Sequence, residues 1–107
     1  MNLEDKIYVA EWLGVEVEKV KVEIEIEPID KFIKQITEAM LSYANFPKDK
    51  KRTDRIVKLL KGGAPVLPVY VEKSDNNFFI MEGRHRIVAF YILGIKEIPV
   101  AKCSVLM

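Results

Sequence analysis

The chain has 107 residues, half of them hydrophobic and 31% charged, with 17 basic and 16 acidic side chains for a net charge of +1. That is the size and balance of one soluble globular domain, and it gives no whole-molecule attraction to nucleic acid, so polyanion binding would need a local patch. One cysteine and one histidine exclude an internal disulfide and the usual structural zinc site; with no secretory leader pattern and no membrane-length apolar run, a cytoplasmic protein without resident metal or membrane association is expected.

Leu3 to Leu13 has helical apolar spacing and ends at Gly14, which predicts a first helix whose Tyr8 and Trp12 belong to the core. Alternation follows, with Val20, Val22, Ile24 and Ile26 on one face and Lys19, Lys21, Glu23, Glu25 and Glu27 on the other, predicting a half-buried strand. The three glutamates read as a solvated face paired to lysines of a neighbouring strand rather than as metal ligands. Pro28 ends the strand, and Asp30 is placed to cap a helix carrying Ile33, Ile36, Met40 and Tyr43, which stops near Asn45-Phe46-Pro47.

Pro47 to Arg52 reads as a charged connector, with Thr53 or Asp54 capping a short helix through Ile56, Val57, Leu59 and Leu60 that Gly62-Gly63 closes. The basic residues Lys48, Lys50, Lys51, Arg52 and Arg55 are either nucleic-acid backbone contacts or a solvated loop. Val66 to Val71 predicts a strand that Pro68 confines to an edge or to its opening residues, Ser74-Asp75-Asn76-Asn77 turns the chain, and Phe78 to Met81 returns as its hairpin partner. An apolar helix over Ile87 to Leu93, a Gly94 cap and a last strand from Ile98 to Cys103 complete the order. The strand containing Pro68 and the final strand are the candidates for pairing between copies in a homo-oligomer.

Directly before the apolar helix stand Glu82-Gly83-Arg84-His85-Arg86, two arginines and the only histidine. A helix N-terminus carries about half a positive charge, and each cation there is disfavoured by roughly 0.3–1 kcal/mol. Cations set against the dipole, amides without intrahelical partners and a glycine permitting close approach describe an anion site, most naturally for phosphate, at Gly83, Arg84, His85 and Arg86. The competing reading pairs the arginines with Glu82 or other carboxylates, but exposed ion pairs contribute only about 0–1 kcal/mol and explain this placement poorly. His85 lies beside two guanidinium groups, which favours neutral imidazole in the absence of ligand; it is a phosphate donor or general acid, or a histidine bonded to a nearby carbonyl. Glu82 is a candidate to activate water, accept a proton or hold a Mg2+ ion bridging to phosphate, or else a partner for Arg84 or Arg86. Glu82 and His85 are therefore the two catalytic candidates.

The run Phe79-Ile80-Met81-Glu82-Gly83-Arg84-His85-Arg86-Ile87-Val88-Ala89-Phe90, with Leu93-Gly94 and Ile98-Pro99-Val100 beyond it, resembles the ParB/sulfiredoxin superfamily, whose members place a G-x-H-R or G-E-R-R type turn after a strand. Gly62-Gly63 and the strand around Leu67-Pro68-Val69-Tyr70-Val71 are similar to that family's glycine-to-proline box, so the resemblance covers Arg52 to Cys103. It implies an α+β fold, a small mixed sheet flanked by helices in a single domain spanning 1–107. It also implies a nucleotide or phosphate group at the Glu82 to Arg86 turn, with Gly62, Gly63 and Pro68 near the nucleotide. Members include partition proteins that bind and hydrolyse CTP, proposed nucleases, sulfinic-acid reductases using ATP, and small-molecule kinases, so fold alone selects no reaction.

Departures narrow the expectation. Arg84 stands where sulfiredoxins carry their catalytic cysteine, so reductase chemistry is not expected. Partition proteins continue into a helix-turn-helix reader, whereas this chain ends at Met107, so operator recognition is not expected either; kinase relatives have larger substrate regions. What remains is a domain that binds a nucleotide or nucleic-acid phosphate, with Mg2+ accompanying a nucleotide and nuclease or NTPase hydrolysis left open. The alternatives are a non-catalytic plasmid- or phage-type accessory module that keeps the anion pocket, and a protein whose arginines meet an acidic partner peptide.

Overall fold

The computed structural model describes residues 3–74 and 77–106. Helix α1 (Leu3–Leu13) leads through a short 3-10 turn to strand β1 (Val20–Pro28); helices α2 (Ile33–Asn45) and α3 (Pro47–Lys61) follow. Strands β2 (Val69–Ser74) and β3 (Asn77–Glu82), helix α4 (Arg84–Ile92) and strand β4 (Glu97–Val105) complete the order. Asp75 and Asn76, the middle of the expected hairpin turn, lie outside the described residues.

The sheet is mixed, in the order β1-β4-β2-β3, with β2 and β4 parallel and the other pairs antiparallel. Alternation along β2 and β4 sends Val69, Val71, Ile98 and Val100 to one face, where they pack with Phe32, Ile36, Ile87 and Phe90 of the helical layer. Tyr70 and Cys103 point the other way, against Val9 and Ala10 of α1. A helical layer of α2, α3 and α4, the sheet, and α1 thus make the expected α+β architecture.

Several expectations are corrected. On β1 the apolar stripe is not a buried face: Val20 is buried, but Ile24 and Ile26 are 61% and 62% exposed, because α1 covers only the stretch around Val20 and Cys103. On the other face Glu27 is only 7% exposed. Lys102 of neighbouring β4 donates to Glu25 and Glu27 at 2.6 and 2.7 Å, and Lys31 pairs with Glu27, so the acid is buried along with its counter-charges. The cross-strand lysine is as expected; the full solvation is not. Asp30 caps nothing, since Ile29 and Phe32 are drawn into the core through a 3-10 turn and α2 begins only at Ile33.

The supposed connector from Pro47 is the opening of α3. A proline suits the first helical turn, where its missing N–H is not needed and its fixed φ is already helical, so Pro47 starts a helix rather than stopping one. Thr53 and Asp54 are consequently interior to α3, not caps. Pro68 lies just before β2, and β2 and β4 are both interior strands; the sheet edges are β1 and β3, so the proposed pairing of copies through the Pro68 strand or the final strand has no edge to use. Edge strand β3 is itself partly covered by Gln35 of α2, which donates Nε2 to the Phe78 carbonyl at 2.9 Å and accepts the Ile80 amide at 3.3 Å. Tyr8 and Trp12 are exposed rather than core, with their polar tips bonded to the Met81 carbonyl and the Glu72 carboxylate.

Candidate functional site

Gly83 carries the chain from β3 into α4 in one step. Its φ is +113°, in the left-handed region, and a Cβ there would stand 3.1 Å from Val69 Cγ1, so both conformation and space call for glycine. The Ile87 amide donates to the Gly83 carbonyl at 2.9 Å, which leaves the amides of Arg84, His85 and Arg86 ahead of the first intrahelical bond. The first turn of α4 contains no acid, so Arg84 and Arg86 do stand against the dipole as the sequence implied. The helix begins at Arg84, three residues before the apolar run.

Successive helical residues are about 100° apart, so Arg84, His85 and Arg86 fan outward rather than converge. Arg84 and His85 line a cavity of about 390 Å³ between α2, α3 and α4, together with Glu38, Ser42, Asp49 and Thr53. Arg86 turns to the other side, where it donates to the Pro68 carbonyl and, with Glu82, Tyr70 and Asp5, lines a separate hollow of about 530 Å³. The turn therefore borders more than one concavity, Arg84 also lining a hollow with Lys31, Lys34, Gln35 and Phe78, and the two catalytic candidates, Glu82 and His85, open onto different ones. Glu82 is exposed and forms no salt bridge among the described residues, so it is not the ion-pair partner of Arg84 or Arg86.

Asp49 is the residue that reading along the chain missed. Its carboxylate accepts from Ser42 Oγ at 2.6 Å and from His85 Nε2 at 2.7 Å. The Ser42 hydroxyl first, then the His85 ring, hold its carboxyl below the usual carboxylate range. An ionised carboxylate only accepts, so the ring proton lies on Nε2 and Nδ1 is the remaining ring nitrogen of His85. The available signal was local: Pro47 at the first helical turn puts Asp49 two residues on, where an acid complements a helix N-terminus.

Thr53 is the second such residue. It lines the same cavity, is 1% exposed, and its Oγ1 has no hydrogen-bond partner among the described residues. A buried hydroxyl left without a partner costs about 1–3 kcal/mol, so a ligand atom that reached Thr53 Oγ1 would gain a favourable contact.

The remaining candidates are dispersed. Pro68 is brought to the turn through its carbonyl on Arg86. Gly62 and Gly63 close α3 and line another hollow with Arg55 and Lys58, not the one that holds Arg84 and His85. Lys50, Lys51, Arg52 and Arg55 are helical residues of α3 rather than a loop. Cys103 is fully buried on β4, where desolvation pushes its thiol up to about 11. Among the described residues no group of three or more His, Cys, Asp or Glu is placed to hold a metal ion, and no helix is long and apolar enough to cross a membrane.

No family model matches the chain, and no curated protein sequence matches it. Among solved structures it is similar to the crystal structure of sulfiredoxin from Arabidopsis thaliana, with a TM-score of 0.52 and 17% identity over 73% of this chain and 81% of that one. The chain therefore has the ParB/sulfiredoxin-like fold that its second half resembled, and at this identity the likeness speaks for the fold alone.

Proposed function

We propose that this domain binds a phosphate-bearing ligand, a nucleotide or nucleic-acid phosphate, in the cavity between α2, α3 and the start of α4. The reading is carried by the buried, unpartnered Thr53 hydroxyl, which shares that cavity with Arg84, His85 and the opening of α4. A phosphate oxygen would satisfy the hydroxyl, meet the Arg84 fork and face the positive helix end together. Glu38 and Asp49 are the acids of the cavity. Asp49 is already engaged by Ser42 and His85, so a Mg2+ ion entering with a nucleotide, held mainly by phosphate oxygens, would offset the remaining repulsion from Glu38. Arg86, turned onto the Pro68 carbonyl, holds the turn in place in this reading.

Binding without turnover is favoured, because Glu82 opens onto the opposite hollow from His85. A second reading rests on the Asp49–His85 pair, in which a carboxylate orients an imidazole as in a general base; phosphoester hydrolysis would then depend on His85 and not on Glu82. No reductase chemistry is proposed for the buried Cys103.

Thermal unfolding with pyrophosphate and with nucleotides, each with and without Mg2+, tests the reading. A ligand at about 100 times its Kd adds roughly 2.7 kcal/mol, and each kcal/mol moves Tm by about 4–8 °C in a domain of this size. The shift is expected to vanish in Arg84→Ala and to survive Glu82→Gln. No shift with pyrophosphate, any nucleotide or an oligonucleotide would refute it. Turnover that His85→Gln or Asp49→Asn abolishes with binding intact would select the hydrolytic reading.

A further inference from the structure

Helix α3 carries Lys48, Lys50, Lys51, Arg52, Arg55, Lys58 and Lys61 against only Asp49 and Asp54. Both acids are engaged from outside the helix, Asp49 by Ser42 and His85 and Asp54 by the Tyr43 hydroxyl at 2.7 Å. None of the seven cations forms a salt bridge among the described residues. At about 100° per residue, Lys48, Lys51, Arg52, Arg55 and Lys58 fall within an arc of about 120°, turned away from the side that buries Thr53. These five line one shallow depression, with Asp54 at its rim.

Such an arrangement is costly for the isolated helix. The pairs Lys48–Arg52 and Lys51–Arg55 are like charges four residues apart, which repel, and Lys48, Lys50 and Lys51 crowd the positive end of the dipole. With a net charge of only +1 on the whole chain, these cations are segregated rather than typical of the surface. The ten steps of helix from Lys48 to Lys58 rise about 15 Å, the axial length of roughly four phosphates of one B-form strand.

We propose that the outer face of α3 docks on the backbone of double-stranded DNA through Lys48, Lys51, Arg52, Arg55 and Lys58. The depression is lined by charged side chains, with no aromatic platform of the kind that single strands use, so the contact is with phosphates and does not read sequence. It is independent of the α4 cavity: these five cations line the outside of α3, and the cavity lies on its inner side.

The test is fluorescence anisotropy of the full chain with labelled duplexes of about 20 base pairs and two unrelated sequences, across a salt series. About four phosphate contacts predict a roughly 100-fold loss of affinity between about 50 and 200 mM salt, equal for both sequences. In Arg52→Ala/Arg55→Ala that loss should shrink to roughly 10-fold, while Lys19→Ala/Lys96→Ala, which removes the same charge elsewhere, leaves it near 100-fold. Both arginines are exposed, and circular dichroism of the double variant confirms its fold. The proposal is overturned if no duplex binds at about 50 mM salt, if the two double variants behave alike, or if an acidic peptide binds and duplex does not compete. Because the readout is duplex affinity, its failure leaves the pyrophosphate shift of the α4 cavity standing, and the reverse.

Discussion

Two groups of charges in this domain have opposite circumstances. Around Lys102 on β4 every charge is met: its ammonium, 8% exposed, binds Glu25 and Glu27 and lies 5.0 Å from the Phe78 ring centroid, while Lys31 completes Glu27. At the start of α4 and along α3, Arg84, Arg52 and Arg55 meet no carboxylate within salt-bridge distance among the described residues. The first group is part of the fold, and removing a member should cost stability. The second adds repulsion to the fold, and removing a member should cost binding instead.

The largest effect is expected where that contrast is sharpest. Lys102→Ala leaves Glu27 buried with only the outer Lys31, and breaking one side of a buried pair costs about 3–5 kcal/mol, measurable by urea unfolding. Its pH dependence has two limbs. The Glu27 carboxyl is held below the ordinary value, first by Lys102 and then by Lys31, so its contribution is complete above the unfolded value of about 4.3 and is lost as pH falls through the folded value. Glu25 and then Glu27 hold the Lys102 ammonium above its ordinary value, so that contribution is complete below about 10.4 and is lost as pH rises through the folded value. A stability profile of Lys102→Ala should lack the alkaline limb and keep only the part of the acid limb that Lys31 supplies.

Gly83→Ala comes next. A left-handed conformation costs a non-glycine residue roughly 1–2 kcal/mol, and the new methyl would press on Val69, so a fall in Tm and a weaker pyrophosphate shift are expected together. Thr53→Val removes an unsatisfied hydroxyl and should raise stability by about 1 kcal/mol while reducing that shift. The smallest effect is Arg84→Ala in the free protein. Relief of a cation at the helix start should stabilise by about 0.3–1 kcal/mol even as ligand response is lost, and a destabilised Arg84→Ala would place Arg84 with Lys102 instead.

The parts of this molecule governed by neighbours in sequence could be read from it. Gly14 and Gly94 follow α1 and α4 where a helix stop was expected, and the strand, glycine turn and cationic helix start around Gly83 lie as the residues implied. What escaped depends on distant parts of the chain. Asp49 and His85 are 36 residues apart, and nothing near either one announces the other. Ile24 and Ile26 have the alternation of a buried face, yet whether that face is covered depends on where α1 lies. Glu27 is legible as the partner of a neighbouring strand's lysine, but its burial is not, because that depends on where Lys102 of β4 and Lys31 bring their charges. Pro47 has two meanings in helix punctuation, and only the continuous burial pattern beyond it, with Thr53 inward, selects the start over the stop.

The carboxamide of Gln35 imitates a missing neighbour strand, offering β3 one donor and one acceptor where another peptide group would stand. A foreign chain reaching that rim meets the Phe78 carbonyl and the Ile80 amide already engaged and must displace a side chain anchored on α2 to pair with them. The sheet is thereby guarded against stacking end to end on its β3 side, a safeguard written in a single amide rather than in a lysine or a proline.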